Sequence, residues 1–253
     1  MTVYLVGAGP GDPELISVRG ARLLKDADVV LYDRLAAPLL ALAGPGAELV
    51  DVGKSAGSAP VPQEDINRLL VDYGASPHPC VVRLKGGDPY VFARGAEEAM
   101  ALEDAGVDFE VVPGISSVLA APAAAGVALT CRNLAGTVTV LSGHDDPGTW
   151  APGYAESLVT LGGTIVVVMG AGRVARIARR LMGAGLSPET PVVAVRAATT
   201  PAQEVRRTTL GSIEGALLMP PALFVIGDAA GLDLRPGAHA QRRPRSRASP
   251  GRR

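Results

Sequence analysis

Short apolar runs alternate with longer, more polar stretches through most of the chain, and this alternation restricts the fold more than any other feature. Residues 3–6, 28–32, 80–84 and 164–169 are short and mainly apolar. Strands covered on both faces have this composition, and parallel strands need a long connection between them, usually a helix. The pattern therefore predicts an α/β protein with mostly parallel sheets.

The alternation runs through two consecutive series of strands. It predicts an N-terminal α/β domain over residues 1–114 and a C-terminal α/β domain over residues 115–234. Hydrophobic residues make up 47% of the 253 residues, which is enough for two buried cores. Ligands of such sheets bind beyond the carboxyl ends of the strands, so the loops that follow the strands are the candidate sites.

Residues 235–253 have a different composition from the rest of the chain. They contain seven arginines and no acidic residue, whereas residues 1–234 contain 17 basic and 25 acidic residues. Because this segment lacks apolar periodicity, we expect a basic disordered tail that activity does not require. Nucleic-acid binding is an alternative for the tail, but it lacks the aromatic residues that stack on bases.

The remaining composition argues for a soluble, cytoplasmic protein. Two cysteines, Cys80 and Cys131, are too few for a disulfide scaffold, and no Cys/His spacing matches a zinc site. Residues 1–5 contain no basic leader, and the most apolar stretch, residues 118–129, is shorter than the roughly 20 residues that span a bilayer. We therefore expect no metal, no membrane partner and no nucleic-acid partner.

The loop after the first predicted strand begins like a dinucleotide-binding fingerprint, with Gly7 and Gly9. The third glycine of that fingerprint would fall at position 12, where the chain has Asp12 followed by Pro13. A carboxylate there would repel a pyrophosphate. The sequence thus disfavours a nicotinamide cofactor and leaves two alternatives, a rigid turn or a loop whose main chain approaches a non-phosphate ligand.

The loop after the strand at residues 80–84 carries Gly86, Gly87 and Asp88, with Arg94 shortly after. Two adjacent glycines allow a ligand to approach the main chain because no Cβ stands in the way. No Gly-Lys-Ser/Thr follows, so the loop is not a phosphate-binding P-loop. The acid and the base beside the glycines favour a binding site over a simple connection.

Seven motifs in the chain occur together, in this order, in one protein family. Over residues 3–230 the chain resembles the uroporphyrinogen-III C-methyltransferases of the tetrapyrrole methylase superfamily, and the number and spacing of the motifs make the resemblance specific. The motifs are residues 6–13 (VGAGPGDP), 31–35 (LYDRL), 52–54 (VGK), 62–67 (PQEDIN), 83–92 (RLKGGDPYVF), 111–117 (VVPGISS) and 129–130 (LT).

The resemblance implies a fold, a reaction and a cofactor. The fold would be two consecutive α/β domains of the tetrapyrrole methylase type with a ligand cleft between them, usually in a homodimer. The cofactor would be S-adenosyl-L-methionine, which leaves as S-adenosyl-L-homocysteine. Two methyl groups would be transferred to C-2 and C-7 of uroporphyrinogen III, giving precorrin-2 for sirohaem and cobalamin biosynthesis.

The resemblance also assigns roles to individual residues. Asp33 would be the general base and Lys54 the proton donor. The residues that would contact the methyl donor are Pro10, Gly86, Gly87, Asp88, Val91, Ser116, Ser117, Met169 and Ala198.

The proposed tetrapyrrole carries eight carboxylates, so an acidic protein needs a local basic patch to bind it. The basic residues in or beside the loops after strands are Arg34, Lys54, Arg83, Lys85, Arg94, Arg132 and Arg173. Among them we predict Arg34, Arg94 and Arg132 as the substrate-binding residues.

Each of these roles has a simpler structural alternative. Asp33 could cap a helix, Lys54 could be merely exposed, and Met169 could be a buried core residue. Arg94 could pair with Glu97 or Glu98 on its own helix, since residues three or four apart on a helix are neighbours.

The chain departs from the family pattern at several positions. Cys131 stands where the family usually has His, Ser58-Ala59 replaces an aromatic–His pair, and Ser55 replaces a common Arg. If those groups help to hold carboxylates, substrate binding would be weaker or altered. A later precorrin methyltransferase and a non-catalytic protein that binds the methyl donor therefore remain alternative functions.

Overall fold

The computed structural model describes residues 2–53, 61–77, 80–216 and 218–235. The chain forms two compact units, and each contains one five-stranded sheet. The first unit holds the chain up to Ala121 together with Ala197–Gln203, and the second holds Pro122–Arg196 and the chain from Glu204 onward. Two consecutive α/β domains were predicted and are confirmed, while the exact boundary at residue 114 stays a prediction.

The first unit contains a fully parallel sheet with the strand order β3-β2-β4-β1-β5. Its strands are β1 Thr2–Gly7, β2 Val29–Tyr32, β3 Glu48–Asp51, β4 Cys80–Lys85 and β5 Phe109–Val112. Its helices are α1 Val18–Lys25, α2 Gln63–Ala75, α3 Gly95–Asp104 and α4 Ser117–Ala124, the last of which continues into the second unit. A 3₁₀ helix, Arg34–Leu42, follows β2.

Helices cover both faces of this sheet because its strands are apolar at successive positions. Adjacent strand residues point to opposite faces, so the same strands supply two cores. Helices α2 and α3 cover one face with Ile66, Leu70 and Leu102, against Val3, Leu5, Val29 and Leu31. Helix α1 covers the other face with Leu24, against Val6, Val30, Val82 and Leu84.

The neighbouring strands β1 and β4 lead to helices on opposite faces of the sheet, since α1 follows β1 and α3 follows β4. The chain therefore departs in opposite directions beyond these two strand ends. Such a switch point is where ligands bind in open parallel sheets.

The second unit has the strand order β6-β7-β10-β8-β9. Its strands are β6 Val138–Ser142, β7 Thr164–Val168, β8 Pro191–Arg196, β9 Glu204–Thr209 and β10 Ala222–Ile226, and its helices are α5 Tyr154–Leu161 and α6 Val174–Gly183. Only the β6–β7 pairing is parallel among the described strands of this sheet. Residues 197–203 between β8 and β9 are too few for a helical crossover, so these two strands pair antiparallel. Counted over both sheets, most pairings are parallel, as predicted.

None of the described helices is both long enough and apolar enough to cross a membrane.

Candidate active site

The loops after β1 and β4 are joined directly by their main chains. The N–H of Gly9 donates to the carbonyl oxygen of Gly87 at 3.1 Å, and the N–H of Gly87 donates to that of Gly9 at 2.8 Å. Both residues have positive φ, 78° and 71°, a conformation that glycine adopts without a steric penalty. The two glycine loops recognised in the sequence therefore form a single structure at the switch point of the sheet.

The loop after β5 packs against the same structure. A Cβ on Gly114 would stand 2.3 Å from the carbonyl oxygen of Gly87, and a Cβ on Gly7 would stand 2.5 Å from the Cα of Gly114. These distances are too short for any side chain, so glycine is required where the three backbones meet. Gly7 and Gly114 were part of the sequence motifs but were not predicted as site residues.

Asp88 fixes the relative position of the β4 and β5 loops. Its Oδ2 accepts a hydrogen bond from the N–H of Gly114 at 3.0 Å, and its Oδ1 accepts one from the N–H of Tyr90 at 2.9 Å. Both oxygens of this predicted donor-binding residue thus bind the protein's own main chain. This arrangement gives Asp88 a structural part in shaping the site.

The other predicted donor-binding residues of the first unit lie close to this junction. The position of a Cβ on Gly87 is 3.8 Å from the Cα of Ser116 and 3.9 Å from the N of Ser117. Gly86 precedes Gly87 directly, and Val91 lies in the same loop with 39% of its surface exposed.

Ala198 lies beside the glycine turn that contains Pro10. A Cβ on Gly11 would stand 3.4 Å from the carbonyl oxygen of Ala198. The neighbouring Thr199 accepts a hydrogen bond on Oγ1 from the N–H of Asp12 at 3.1 Å. The structure therefore brings Pro10 and Ala198, which are far apart in sequence, to one place.

Thr199 is also strained, because its φ is 64° and β-branched residues rarely adopt positive φ. Ala197 has a φ of 44° in the same segment. Backbone strain of this kind concentrates at functional sites, where surrounding contacts hold it. The residue types give no signal of this conformation, so sequence reasoning missed Thr199.

Asp33 stands at the end of β2, at the N-cap position of the helix Arg34–Leu42, but its side chain makes no capping hydrogen bond. Asp33 therefore occupies the N-cap position, as the structural alternative stated, but its side chain does not cap the helix. Asp33 Oδ1 instead accepts a hydrogen bond from Arg83 Nη2 at 2.7 Å. With 33% of its side chain exposed, Asp33 is open to solvent at the carboxyl end of the sheet.

Arg83 and Lys85 are buried beneath Asp33, with 2% and 1% of their surfaces exposed. Both bind the fully buried Glu98 of α3, Arg83 through Nε at 3.0 Å and Lys85 through Nζ at 2.8 Å. The two side chains are therefore not available to substrate carboxylates, which corrects their place among the candidates for a basic patch.

The pKa values of Lys85 and Arg83 are shifted in opposite directions. Burial, reinforced by the charge of Arg83, lowers the pKa of Lys85 despite its pairing with Glu98. Burial also disfavours the charge of Arg83, but Glu98 and Asp33 together raise its pKa. Arg83 thus remains a cation below the carboxylate of Asp33.

The predicted substrate-binding arginines differ in their surroundings. Arg34 is exposed and makes no side-chain hydrogen bond or ion pair with the described residues. Arg94 is exposed as well but binds Glu97 through Nε at 2.8 Å and Nη2 at 2.6 Å, as the structural alternative for it stated. Lys54 lies outside the described residues, as do Ser55, Ser58 and Ala59.

Two further predicted residues belong to the second unit. Met169 follows β7 directly, has a φ of 55° and is 50% exposed, which excludes a buried core methionine. Arg132 is exposed in a turn closed by reciprocal main-chain hydrogen bonds between Cys131 and Ala135 at 3.0 and 2.9 Å. Within the described part of the chain, no three His, Cys, Asp or Glu side chains converge as metal ligands would.

The parallel sheet, its joined glycine loops and the carboxylate at the neighbouring strand end define a class of protein. The chain belongs to the tetrapyrrole (corrin/porphyrin) methylases, whose family model matches residues 2–214. The resemblance inferred from the seven motifs is thereby confirmed.

Within this family, the chain is similar to particular members. The chain is 44% identical over 236 residues to an S-adenosyl-L-methionine-dependent uroporphyrinogen III methyltransferase from Methanosarcina barkeri, a match that covers 91% of this chain and 92% of the relative. Among solved structures it is similar to a uroporphyrin-III C-methyltransferase from Thermus thermophilus complexed with S-adenosyl homocysteine, with 43% identity and a TM-score of 0.77. That match covers 91% of this chain and 99% of the other.

The fold is also shared with a cobalt precorrin-4 methyltransferase of cobalamin biosynthesis. The TM-score is 0.80, the identity is 33%, and the match covers 90% of this chain and 95% of the other. The fold alone therefore does not separate the members of the family.

Proposed function

We propose that the chain is an S-adenosyl-L-methionine-dependent C-methyltransferase that converts uroporphyrinogen III to precorrin-2 by methylation at C-2 and C-7. The observation that carries this proposal is the 44% identity to a relative named for uroporphyrinogen III methylation. The match covers 92% of that relative. The chain then takes part in porphyrin biosynthesis at the point that leads to sirohaem and cobalamin.

The main chain around the joined glycine loops suits the binding of a methyl donor. The turn at Pro10 and the loop from Gly86 to Asp88 meet at the switch point, and Ser116, Ser117 and Ala198 lie beside them. Glycine has no Cβ that would keep a ligand away from the main chain of this junction. We assign donor binding to these residues, to Val91 and, in the second unit, to Met169.

The bound donor supplies a methyl group on a positively charged sulfur, ready for attack by an electron-rich carbon. For such a reaction the protein mainly has to hold the reactants in line. A pyrrole carbon that gains a methyl group leaves the ring system positively charged. A carboxylate nearby stabilises this charge or accepts the proton whose loss restores neutrality.

Asp33 is the carboxylate that we assign to this role. It is partly exposed at the end of β2, and its ion pair with Arg83 holds one of its oxygens in place. Lys54, which is two residues after Val52 in the sequence, is proposed as the proton donor on the strength of the family motif.

The substrate's carboxylates require exposed cations. Arg34 follows Asp33 directly and makes no ion pair with the described residues, so it is the best placed of the three predicted arginines. Arg94 would have to exchange Glu97 for a substrate carboxylate, which is feasible because this ion pair is exposed to solvent. Arg132 is exposed in the second unit and completes the proposed set.

The alternative of a later precorrin methyltransferase is less well supported, because the identity to the cobalt precorrin-4 enzyme is 33%. A non-catalytic protein that binds the methyl donor is disfavoured by the presence of Asp33 and of the buried ion pairs that support it. We further propose that the protein is a homodimer, which follows from the family resemblance, and that it is cytoplasmic, which follows from its composition. Light scattering of the purified protein tests the oligomeric state.

The reaction itself tests the proposed function. Purified protein is mixed with enzymatically prepared uroporphyrinogen III and donor carrying a labelled methyl group. Two labelled methyl groups per tetrapyrrole, located at C-2 and C-7, would support the proposal. Donor binding without methyl transfer would favour the non-catalytic alternative, and labelling of a later precorrin but not of uroporphyrinogen III would favour the other enzyme.

A further inference from the structure

The two oxygens of Asp33 have different surroundings. Oδ1 accepts the hydrogen bond from Arg83 Nη2 at 2.7 Å, whereas Oδ2 makes no hydrogen bond with any of the described residues. The side chain is 33% exposed. One oxygen is therefore held by the protein and the other is available to a ligand.

The guanidinium of Arg83 is held on three sides. Nε donates to Glu98 Oε1 at 3.0 Å, Nη1 donates to the carbonyl oxygen of Leu84 at 3.3 Å, and Nη2 donates to Asp33. Since only 2% of the residue is exposed, no solvent-filled space allows another rotamer. The guanidinium therefore offers Asp33 a hydrogen-bond donor in a fixed position and direction.

Glu98 binds Arg83 through Nε, whereas Asp33 binds it through Nη2. Glu98 is fully buried and also accepts hydrogen bonds from Lys85 Nζ at 2.8 Å and from Gln63 Nε2 at 3.4 Å. Glu98 lies on α3 and Lys85 on β4, so both belong to regular elements of the first unit. The support of Asp33 thus extends into the rigid part of the fold.

Charge balance indicates why Arg83 is present. Arg83 and Lys85 both pair with the single carboxylate of Glu98, and among the described residues Asp33 supplies the second negative charge, through Arg83. Burying an ion pair costs desolvation energy that the attraction does not always recover, so such pairs are weak evidence for a stabilising role. A role of Arg83 in positioning Asp33 accounts for this desolvation cost.

We propose that Arg83 is a positioning residue that holds Asp33 through Oδ1 so that Oδ2 faces the reacting tetrapyrrole, and that Glu98 keeps Arg83 in place. The inference rests on the proposed function, in which Asp33 is the carboxylate beside the reacting carbon. Arg83 itself touches no substrate, and its effect passes entirely through Asp33.

Arg83→Met is the first test, because it removes the guanidinium while the Glu98–Lys85 pair remains. We expect kcat to fall at least tenfold while KM and the dissociation constant for S-adenosyl homocysteine change less than threefold. Arg19→Met is the matched control, since Arg19 is an exposed arginine ion-paired with Glu110. Its kcat should equal that of the wild type.

A double-mutant cycle separates positioning from a general structural effect. If Arg83 acts through Asp33, Arg83→Met lowers kcat in the wild-type background but hardly lowers it further in Asp33→Asn. Equal losses in both backgrounds would overturn the proposal. Should Arg83→Met fail to fold, Arg83→Lys serves in the same cycle, because it keeps the charge but cannot reach Glu98 and Asp33 together.

A crystal structure of the Arg83 variant distinguishes failure of this inference from failure of the proposed function. Displacement of the Asp33 carboxylate supports positioning even if the wild-type protein does not methylate uroporphyrinogen III. An Asp33 carboxylate that stays in place overturns it, whatever the activity. Absence of methylation by the wild type, with Asp33 displaced in the variant, would refute the proposed reaction alone.

Discussion

Gly7 and Gly114 touch through their main chains, so closely that a Cβ on Gly7 would stand 2.5 Å from both the Cα and the N of Gly114. The contact joins the end of β1 to the loop after β5, beside the carbonyl oxygen of Gly87. The three atoms nearest to this Cβ position belong to the backbone, which cannot move aside as a flexible side chain could. The contact therefore determines how the loops at the candidate active site are spaced.

Gly7→Ala should force these backbones apart. We expect the free energy of unfolding to fall by about 1–3 kcal/mol, as overpacking of a tight site usually costs, and donor binding to weaken as well. Urea unfolding and calorimetry with S-adenosyl homocysteine measure the two effects. Gly46→Ala is the control, because a Cβ there meets nothing within 4 Å. Equal stability of the two variants would contradict the close contact.

Asp88→Ala tests the second link between the loops. The substitution removes the acceptors for the N–H groups of Gly114 and Tyr90. Hydrogen bonds to a charged group contribute about 1.5–3 kcal/mol each, so we expect donor affinity to fall by about tenfold or more.

Asp88→Asn should retain part of this affinity, since its amide oxygen still accepts one of the two hydrogen bonds. Asp104→Ala, which alters an exposed residue at the C-terminal end of α3, should bind the donor as the wild type does. If Asp88→Ala binds S-adenosyl homocysteine with wild-type affinity, the carboxylate does not shape the donor site.

Asp33→Asn tests the role of the carboxylate itself. The amide is nearly the same shape but neither accepts a proton at neutral pH nor stabilises positive charge. We expect kcat to fall by about 10²–10⁴-fold, the usual contribution of a general acid or base. The dissociation constant for S-adenosyl homocysteine should change little, because Asp33 is assigned to the tetrapyrrole.

The control for this variant is Asp72→Asn, which alters an exposed carboxylate on α2. Both variants lose one negative charge, so a general electrostatic effect on an anionic substrate would appear in both. Normal turnover by Asp33→Asn would remove the proposed role of Asp33.

The first sheet could be predicted from the sequence because its strands are apolar on both faces and its connections are long enough for helices. The second sheet has the same alternation of apolar runs and longer polar stretches, but most of its strands pair antiparallel. Residues 197–203, too short for a crossover, could have indicated that β8 and β9 pair antiparallel. The insertion of β10 between β7 and β8 depends on pairing between distant segments, for which local sequence contains no signal.

The site shows a similar division. The glycine motifs after β1 and β4 predicted the place of the candidate site, since such loops meet at a switch point. The environment of Arg83 and Lys85 was not evident, because their partner Glu98 lies on α3 and the ion pairs depend on tertiary packing. Arg83 and Lys85 are two residues apart in the otherwise apolar strand β4, which was nevertheless a sign that both side chains share one buried face.

The second unit permits a test that involves pH. Asp233 accepts hydrogen bonds from Arg235, through Nε at 2.9 Å and Nη2 at 2.7 Å, and also pairs with Arg207. Arg207 in turn donates to the carbonyl oxygen of Ala125 at 2.9 Å. The hydrogen bonds from Arg235 are the main cause of a pKa of Asp233 that lies well below its ordinary value.

A carboxyl group whose pKa is lower in the folded than in the unfolded state adds stability above its unfolded pKa, and this stability is lost as the pH falls through the folded pKa. Asp233→Asn should therefore unfold at lower urea concentration than the wild type at pH 7, and the difference should shrink below roughly pH 3.9, the ordinary range for Asp. Asp145→Asn, at an exposed position of the same unit, should match the wild type at pH 7. A difference between Asp233→Asn and the wild type that stayed constant down to pH 2 would show that the ion pairs with Arg235 and Arg207 add nothing to the stability of the fold.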